Sequence, residues 1–351
     1  MSDHIMEFEE GVFDSQATEE YYYDSDVTEE YSHHSLSPSS SSSMVPAIDI
    51  SGKWGPIRLY REAKIDQIAH CIDWCMQTGL LFLSMDCRRH RCPRTLTFPE
   101  NRPSYWLCRA CNDRKSIYAG SVFVDAKLPI PQALIIMLGF AHGCTYEEVA
   151  RNCIFDSQGS SISSATIARW YQGFREAVTE QFLRQIRQGS KIGGIDRVVQ
   201  VDEAMIGRRK YNRGRLVQGT WVVGLIDDAG DVRLEVCEKR DVETLTDIIG
   251  RNVEIGSIVC TDQWRGYNSE RLGWLGLQHR TVNHSAEFVA EDGTHTQRIE
   301  SQWRALRRHF SPGGIRKEDI ADHLIEYAWR RKCKISDVDP FTDLINICRA
   351  C

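Results

Sequence analysis

The sequence predicts an α/β protein: a mixed sheet with flanking helices over residues 195–335, preceded by a small cysteine-bearing module and a helical region. Three observations predict this. Four short apolar segments of strand length are bounded by turn residues, with a helical stretch before the fourth. Ahead of them, four cysteines stand in two close pairs. Between cysteines and strands, apolar residues recur at helical spacing.

The 351 residues leave room for two or three small domains with a real core. No apolar run approaches the length that spans a bilayer. The start, "MSDHIMEFEE", lacks the basic-then-apolar layout of a secretory signal, so an intracellular chain is expected. The net charge of −6 hides an asymmetry: residues 1–52 hold twelve acidic residues and no Lys or Arg. The remainder then carries 43 basic and 49 − 12 = 37 acidic side chains, a basic body suited to a polyanionic partner. Thirteen cysteines, an odd number, argue against a disulfide framework.

Residues 1–52 form a leader rich in acid, Ser and Tyr, with no period of either kind; disorder is expected. It reads as a docking or phosphorylation segment, or as a spacer. Residues 53–84 are helical, with Ile65, Ile68, Ile72 and Cys75 as the apolar stripe. In 85–124, "CRRHRC" and "CRAC" supply Cys87, Cys92, Cys108 and Cys111, separated by a hairpin and followed by a strand. Two tight knuckles of paired thiolates are what a tetrahedral structural Zn²⁺ needs, so a zinc ribbon is predicted. His90 is an alternative to Cys87 or Cys92. The module's arginines (Arg88, Arg89, Arg91, Arg94, Arg109, Arg114) read as phosphate contacts or as a solvated face.

Over 125–190 the pattern is an apolar helix at Gln132–Ala141, then a helix capped by Thr145 with Glu148 as its capping-box partner, then "SISSATIARWYQGFREAV". This is a helix-turn-helix-like layout, in which Ser163, Ser164, Thr166 and Arg169 face DNA and Trp170 and Phe174 are core. A small helical bundle with no DNA role has the same pattern.

In the last domain the strands are 197–207, 220–230, 231–240 and 257–262, with a helix capped by Asp241 before the fourth and a fifth strand at "QHRTVNH". That order is the RNase-H-like one, in which the first and fourth strands are neighbours. Asp202 then falls near the end of the first strand and Asp262 at the end of the fourth. Two carboxylates on adjacent strand ends repel, and a divalent cation between them relieves this; hard oxygen ligands select Mg²⁺ or Mn²⁺. The plain alternative for Asp262 is a cap on the following turn. A third carboxylate, Glu300, lies beside the apolar stripe Ile299, Trp303 and Leu306 of a later helix, with a rim salt bridge as its alternative. Residues 336–351 read as a tail.

Asp202-Glu203, "TDQWRGY", "VNHS" and "HTQRIESQWRALRR" together resemble the Merlin-type DDE transposases and the related bacterial insertion-sequence transposases. The resemblance covers about residues 85–335. It implies metal-dependent DNA cleavage at transposon ends and strand transfer, with Asp202, Asp262 and Glu300 as the catalytic, metal-binding triad. Glu203, His284, His295 and Gln297 are implied supports; relatives often carry Asn where this chain has Gln297. Basic residues one to two turns after the third ligand are also implied, here Arg304 and Arg307. Two catalytic Mg²⁺ or Mn²⁺ ions, a homo-oligomer that pairs two DNA ends, and a nuclear location follow as expectations. "GRRKYNRGR" supplies Arg208, Arg209, Lys210, Arg213 and Arg215 as candidate DNA contacts beside Asp202. Two other readings share these features: a host-retained, non-catalytic DNA-binding protein, and a zinc-ribbon interaction module on an α/β scaffold.

Overall fold

The computed structural model describes residues 48–97, 104–124, 128–153, 162–206, 219–282, 296–310 and 315–349. Most of the acidic leader lies outside them. At the N-terminal end, α1 (Pro56–Ala63) and α2 (Ile68–Gln77) are separated by Lys64, which takes a left-handed conformation at φ 45°. That break rotates Ile68 outward to 57% exposure, while Ile65, Ile72 and Cys75 stay buried. The predicted stripe is therefore interrupted at one position.

Strands β1 (Thr95–Thr97), β2 (Tyr105–Leu107) and β3 (Arg114–Ser116) form a small antiparallel sheet in that order. Next come α3 (Ile130–His142), α4 (Tyr146–Asn152) and α5 (Ser164–Arg187). Apolar side chains surround α3, so it runs through the middle of a core, with Leu134, Met137 and Phe140 fully buried. The predicted capping box begins α4: the Thr145 hydroxyl accepts from the Glu148 backbone N–H, and the Glu148 carboxylate accepts from the Thr145 N–H at 2.7 Å. Phe140 packs against Phe174 of α5.

The second layer begins with β4 (Ile192–Gly193), then β5 (Val198–Ile206), β6 (Thr220–Asp227) and β7 (Val232–Cys237). After them come α6 (Val242–Asn252, capped by Asp241), β8 (Val253–Glu254), β9 (Ile258–Asp262), α7 (Ser269–Trp274) and β10 (Gln278–Val282). The main sheet has the order β10-β9-β5-β6-β7. β5 pairs antiparallel with β6 and parallel with β9, so the first and fourth strands of the domain are neighbours as predicted. β4 pairs separately with β8.

Each face of the main sheet carries its own core. Val199, Val201, Val223 and Leu225 pack with Leu245, Ile248 and Ile249 of α6. On the other face, Ala204, Val222, Ile226 and Leu234 pack with Ile299, Trp303 and Leu306 of α8 (Gln297–His309) and Leu324 of α9 (Ile320–Ile335). Alternate strand residues serve opposite faces, the period-two pattern of a sheet covered on both sides.

The sequence reading places only a tail after residue 335. Instead the chain forms α10 (Pro340–Ile347), with Phe341, Leu344 and Ile345 fully buried in the core of the N-terminal helices. The helix starts where Asp339 accepts from the backbone N–H groups of Phe341 and Thr342, with Pro340 at the first position. Its eight residues were too short for the apolar period to stand out. The α5–α9 contact is tied by Glu326, 3% exposed, which accepts from Arg175 Nε at 2.6 Å and pairs with Arg330. Among the described residues no helix is long and apolar enough to cross a membrane.

Candidate active site

The β5–β9 pairing ends at Gln200 and Cys260. Its constant offset aligns Val198 with Ile258, Val199 with Val259 and Gln200 with Cys260, so residue 202 comes level with residue 262. β9 instead stays paired with β10 through Asp262 and Val282, and β5 stays paired with β6 through Asp202 and Gly224. The sheet thus forks between two parallel strands, and the two aspartates stand on the two prongs. A fork at the carboxyl ends of parallel strands is where open α/β sheets leave a crevice for ligands.

A helix closes one side of that fork. Gln200, 2% exposed, accepts with its side-chain oxygen from the backbone N–H groups of Arg298 (3.0 Å) and Ile299 (3.3 Å). It satisfies first-turn donors of α8 and pins the helix start to β5. Gly224 makes the approach possible, since a Cβ there would lie 2.5 Å from the Trp303 ring and 2.8 Å from Ile299 Cδ1. Trp303 Nε1 then donates to Asp202 Oδ2 at 2.8 Å. Glu300, in the first turn of α8, is exposed and accepts from Thr296 Oγ1 at 2.9 Å. Asp262 Oδ1 accepts from the Trp264 backbone N–H at 2.9 Å, a turn-capping bond that also fixes the carboxylate.

The electrostatics fit this clustering. Burial raises the pKa of Asp202; the Trp303 and Glu203 N–H groups oppose the rise, and the negative charges of Asp262 and Glu300 add to it. The three carboxylates are therefore near enough to act on one another. Among the described residues no Lys or Arg forms a salt bridge with Asp202. Glu203, the next residue, points to the opposite face. Burial pushes its pKa up to about 7. The Tyr267 hydroxyl and the Arg240 charge lie close enough to oppose that rise, although neither the buried Glu203 Oε1 nor the Tyr267 hydroxyl makes a hydrogen bond of regular geometry among the described residues.

An aromatic group beside the fork has no local signal in the sequence. Arg240, at the end of β7, places its guanidinium 3.7 Å from the Trp221 ring centroid and 4.8 Å from that of Trp264. Arg265 lies 5.5 Å from Trp264 on its own account. "TDQWRGY" was legible as a motif, but its stacking on Trp221 and Arg240 depends on register between distant strands.

Other predicted residues fall as follows. Gln297, Arg304 and Arg307 are exposed on α8, the two arginines one and two turns beyond Glu300. Ser164 and Arg169 are exposed on α5; Thr166 is half-buried, and its backbone N–H donates to the capping Ser163 Oγ at 3.2 Å. Trp170 is half-buried and Phe174 fully so. Arg208, Arg209, Lys210, Arg213, Arg215, His284 and His295 lie outside the described residues, as does the segment between α4 and α5.

A second cluster lies in the small sheet. Cys87 and Cys111 have their sulfurs 3.7 Å apart, and Cys92 and Cys108 theirs 3.6 Å apart. Cys87, Cys108 and Cys111 also lie within 4.8 Å of one another. The wide spacing of the first pair is absorbed by Arg91, left-handed at φ 47°, which lets the Cys87 N–H donate to the Cys92 carbonyl at 2.8 Å. His90 is exposed, and Cys92 reaches the three-cysteine group through Cys108. Backbone donation from Cys111 pulls the Cys108 thiol down to about 6. Of the module's arginines, Arg94 is 7% exposed and paired with Asp113, so it braces the knuckles rather than facing solvent.

Comparison with known proteins finds a family match over the domain that carries the carboxylates. Residues 191–331 match the family model described as "ISXO2-like transposase domain". No curated protein sequence matches the chain. Among solved structures, the chain is similar to one titled "Crystal structure of a pre-cleavage Mos1 transpososome", at 10% identity and a TM-score of 0.24, covering 62% of this chain and 78% of that one.

Proposed function

We propose that this chain, whose residues 191–331 match an ISXO2-like transposase domain, is a DDE transposase that cleaves DNA at transposon ends and joins the freed strands to target DNA. The observation that carries this reading is the forked sheet, with Asp202 and Asp262 on its prongs and Glu300 on the helix that Gln200 pins to β5.

The donor set fits divalent cations. It is made of hard carboxylate oxygens, and Asp202 is raised in pKa by burial and by its like-charged neighbours, with no salt-bridge cation among the described residues. Asp202, Asp262 and Glu300 would hold Mg²⁺ or Mn²⁺. Bound there, such ions supply charge stabilisation to the scissile phosphate and an activated oxygen nucleophile at neutral pH. The chain's own contribution is positioning. Trp303 orients Asp202, the Trp264 N–H orients Asp262, and Thr296 orients Glu300. Each carboxylate is held before substrate arrives, so little is lost in reorganisation. Glu203 is a support on the far face; His284, His295 and Gln297 are further proposed supports.

The cysteine cluster fits zinc. Four thiolates at about 2.3 Å from one tetrahedral ion have sulfurs about 3.8 Å apart; Cys87–Cys111 at 3.7 Å and Cys92–Cys108 at 3.6 Å are near this, and Cys87, Cys108 and Cys111 lie within 4.8 Å of one another. Cys87, Cys92, Cys108 and Cys111 would hold one structural Zn²⁺ and stabilise a module too small for a core of its own. Exposed Ser164, Arg169, Arg304 and Arg307, with Arg208, Arg209, Lys210, Arg213 and Arg215, are the proposed DNA contacts. Pairing of two DNA ends calls for a homo-oligomer, and a DNA substrate for a nuclear location.

The test is strand cleavage and transfer by the purified chain on DNA carrying candidate terminal repeats, in Mg²⁺ or Mn²⁺, with Asp262→Asn as control. Metal-dependent cleavage lost in the variant is expected. Specific DNA binding without cleavage in either metal would instead favour a retained, non-catalytic DNA-binding protein.

A further inference from the structure

We infer that Arg240, stacked between Trp221 and Trp264, together with Arg265, forms a phosphate clamp that grips the DNA backbone beside the scissile phosphate. The inference rests on the transposase reading and deepens it, since nothing in the family motifs assigns these residues a partner.

The geometry is built rather than incidental. Trp221 opens β6, Arg240 follows β7 and Trp264 follows β9, so three strand ends meet at one guanidinium. Trp264 is tied to the active site by its backbone N–H, which donates to Asp262 Oδ1 at 2.9 Å. Its indole N–H reaches toward the Arg240 carbonyl at 3.5 Å. Gly266 then seals the loop: a Cβ there would lie 2.7 Å from Trp264 Nε1 and 2.8 Å from the Arg240 carbonyl oxygen. Trp264 and Arg265 are therefore part of the loop that holds the catalytic aspartate, and Arg240 packs against that loop.

Charge says what the clamp is for. Arg94, Arg175 and Arg197 are drawn in against carboxylates, Asp113, Glu326 and Asp228, whereas buried Arg233 forms no ion pair among the described residues and donates to Ser190 Oγ and the Val232 carbonyl. Among the described residues neither Arg240 nor Arg265 forms a salt bridge. A guanidinium held over an aromatic ring is attracted to the ring face and still has N–H donors left for an incoming anion. Paired in-plane donors match phosphate oxygens bidentately. Arg265 is exposed and Arg240 half-buried, both open to a strand lying across the fork. DNA is the occupant because the clamp's fixed neighbour is the carboxylate that meets the scissile phosphate.

The experiment measures binding of a fluorescein-labelled random-sequence duplex to the full chain carrying Asp262→Asn, across a salt series, with Arg240→Ala, Arg240→Lys and Arg265→Ala added singly. Nicking of supercoiled plasmid in Mn²⁺ by the same clamp variants in an otherwise wild-type chain runs in parallel. Each lost phosphate contact lowers the slope of log K against log salt by about 0.9. The expected result is binding about five- to twentyfold weaker for Arg240→Ala, a slope smaller by about one, and a partial loss for Arg240→Lys, which keeps charge without the fork and stack. Arg265→Ala, a surface change that leaves the core alone, is expected to lower the slope likewise. Unchanged affinity and slope in both alanine variants, with DNA bound and nicked normally, overturn the clamp and leave the transposase reading standing. No DNA binding and no nicking by the parent chains overturns both.

Discussion

Glu326 and Asp202 are both carboxylates withdrawn from water, and the fold treats them in opposite ways. Burial alone would raise the pKa of Glu326, but Arg330 and Arg175 hold it below the usual value. Asp202 is raised, with a tryptophan N–H as its hydrogen bond and two further carboxylates acting on it. The first supplies its own cations and is finished as a structural joint between α5 and α9. The second is left to be completed by cations from outside. A buried carboxylate marks a site only when the chain has withheld the counter-charge.

The sharpest way to break this comparison is to neutralise each group. Asp202→Asn should lower DNA cleavage by about a thousandfold or more, since several kcal/mol of transition-state stabilisation depend on it. Its melting temperature should stay the same or rise, because a charge that burial disfavours is gone. Glu326→Gln should do the reverse to stability. It leaves Arg175 and Arg330 facing each other, at about 3–5 kcal/mol. Chemical denaturation of the two variants beside the parent reads the contrast.

Next in size is the cysteine cluster, the other set of ligand-type side chains that the fold draws together. Cys108→Ser should release zinc, measured as metal per chain, and lower the melting temperature, with no direct effect on the carboxylates.

The two regions should also answer pH with opposite signs. Glu203, raised from 4.5 to about 7, binds a proton more tightly in the folded state. Its contribution to stability therefore falls as pH rises from about 4.5 to about 7. His323, pushed down from 6.5 to about 4 chiefly by burial, is charged more readily in the unfolded chain. Its contribution falls as pH drops below 6.5, and that of Glu326 falls further below 4.5. In magnesium-free buffer, Glu203→Gln should flatten the loss on the neutral side and leave the acid side as it was. The smallest effect belongs to ordinary helix chemistry: Thr145→Ala removes the α4 capping box and should cost about 1 kcal/mol.

Much of the carboxylate site was legible because its signals are local. Asp202 and Asp262 announce themselves as acids at the ends of apolar strands, and Glu300 as an acid beside a helical stripe. The capping box at Thr145 and the cysteine knuckles are equally short-range. Gln200, Gly224 and Arg240 were not legible, since each acts on a residue from a distant segment and only register brings them together. Gln200 reads as a polar break in a strand until α8 arrives to use its oxygen. Glu326 reads as an exposed helical acid until Arg175, 151 residues away, packs beside it. Trp221 and Trp264 look like separate core aromatics until Arg240 joins them.

The central claim is that Asp202, Asp262 and Glu300 share divalent cations. Isothermal titration of Mn²⁺ into the chain bound to a nicked duplex, against the Asp202→Asn and Asp262→Asn variants bound to the same duplex, tests it most directly. The account predicts saturable Mn²⁺ uptake by the parent complex, with Mg²⁺ competing, and its loss in both variants. Equal uptake by all three complexes would contradict it.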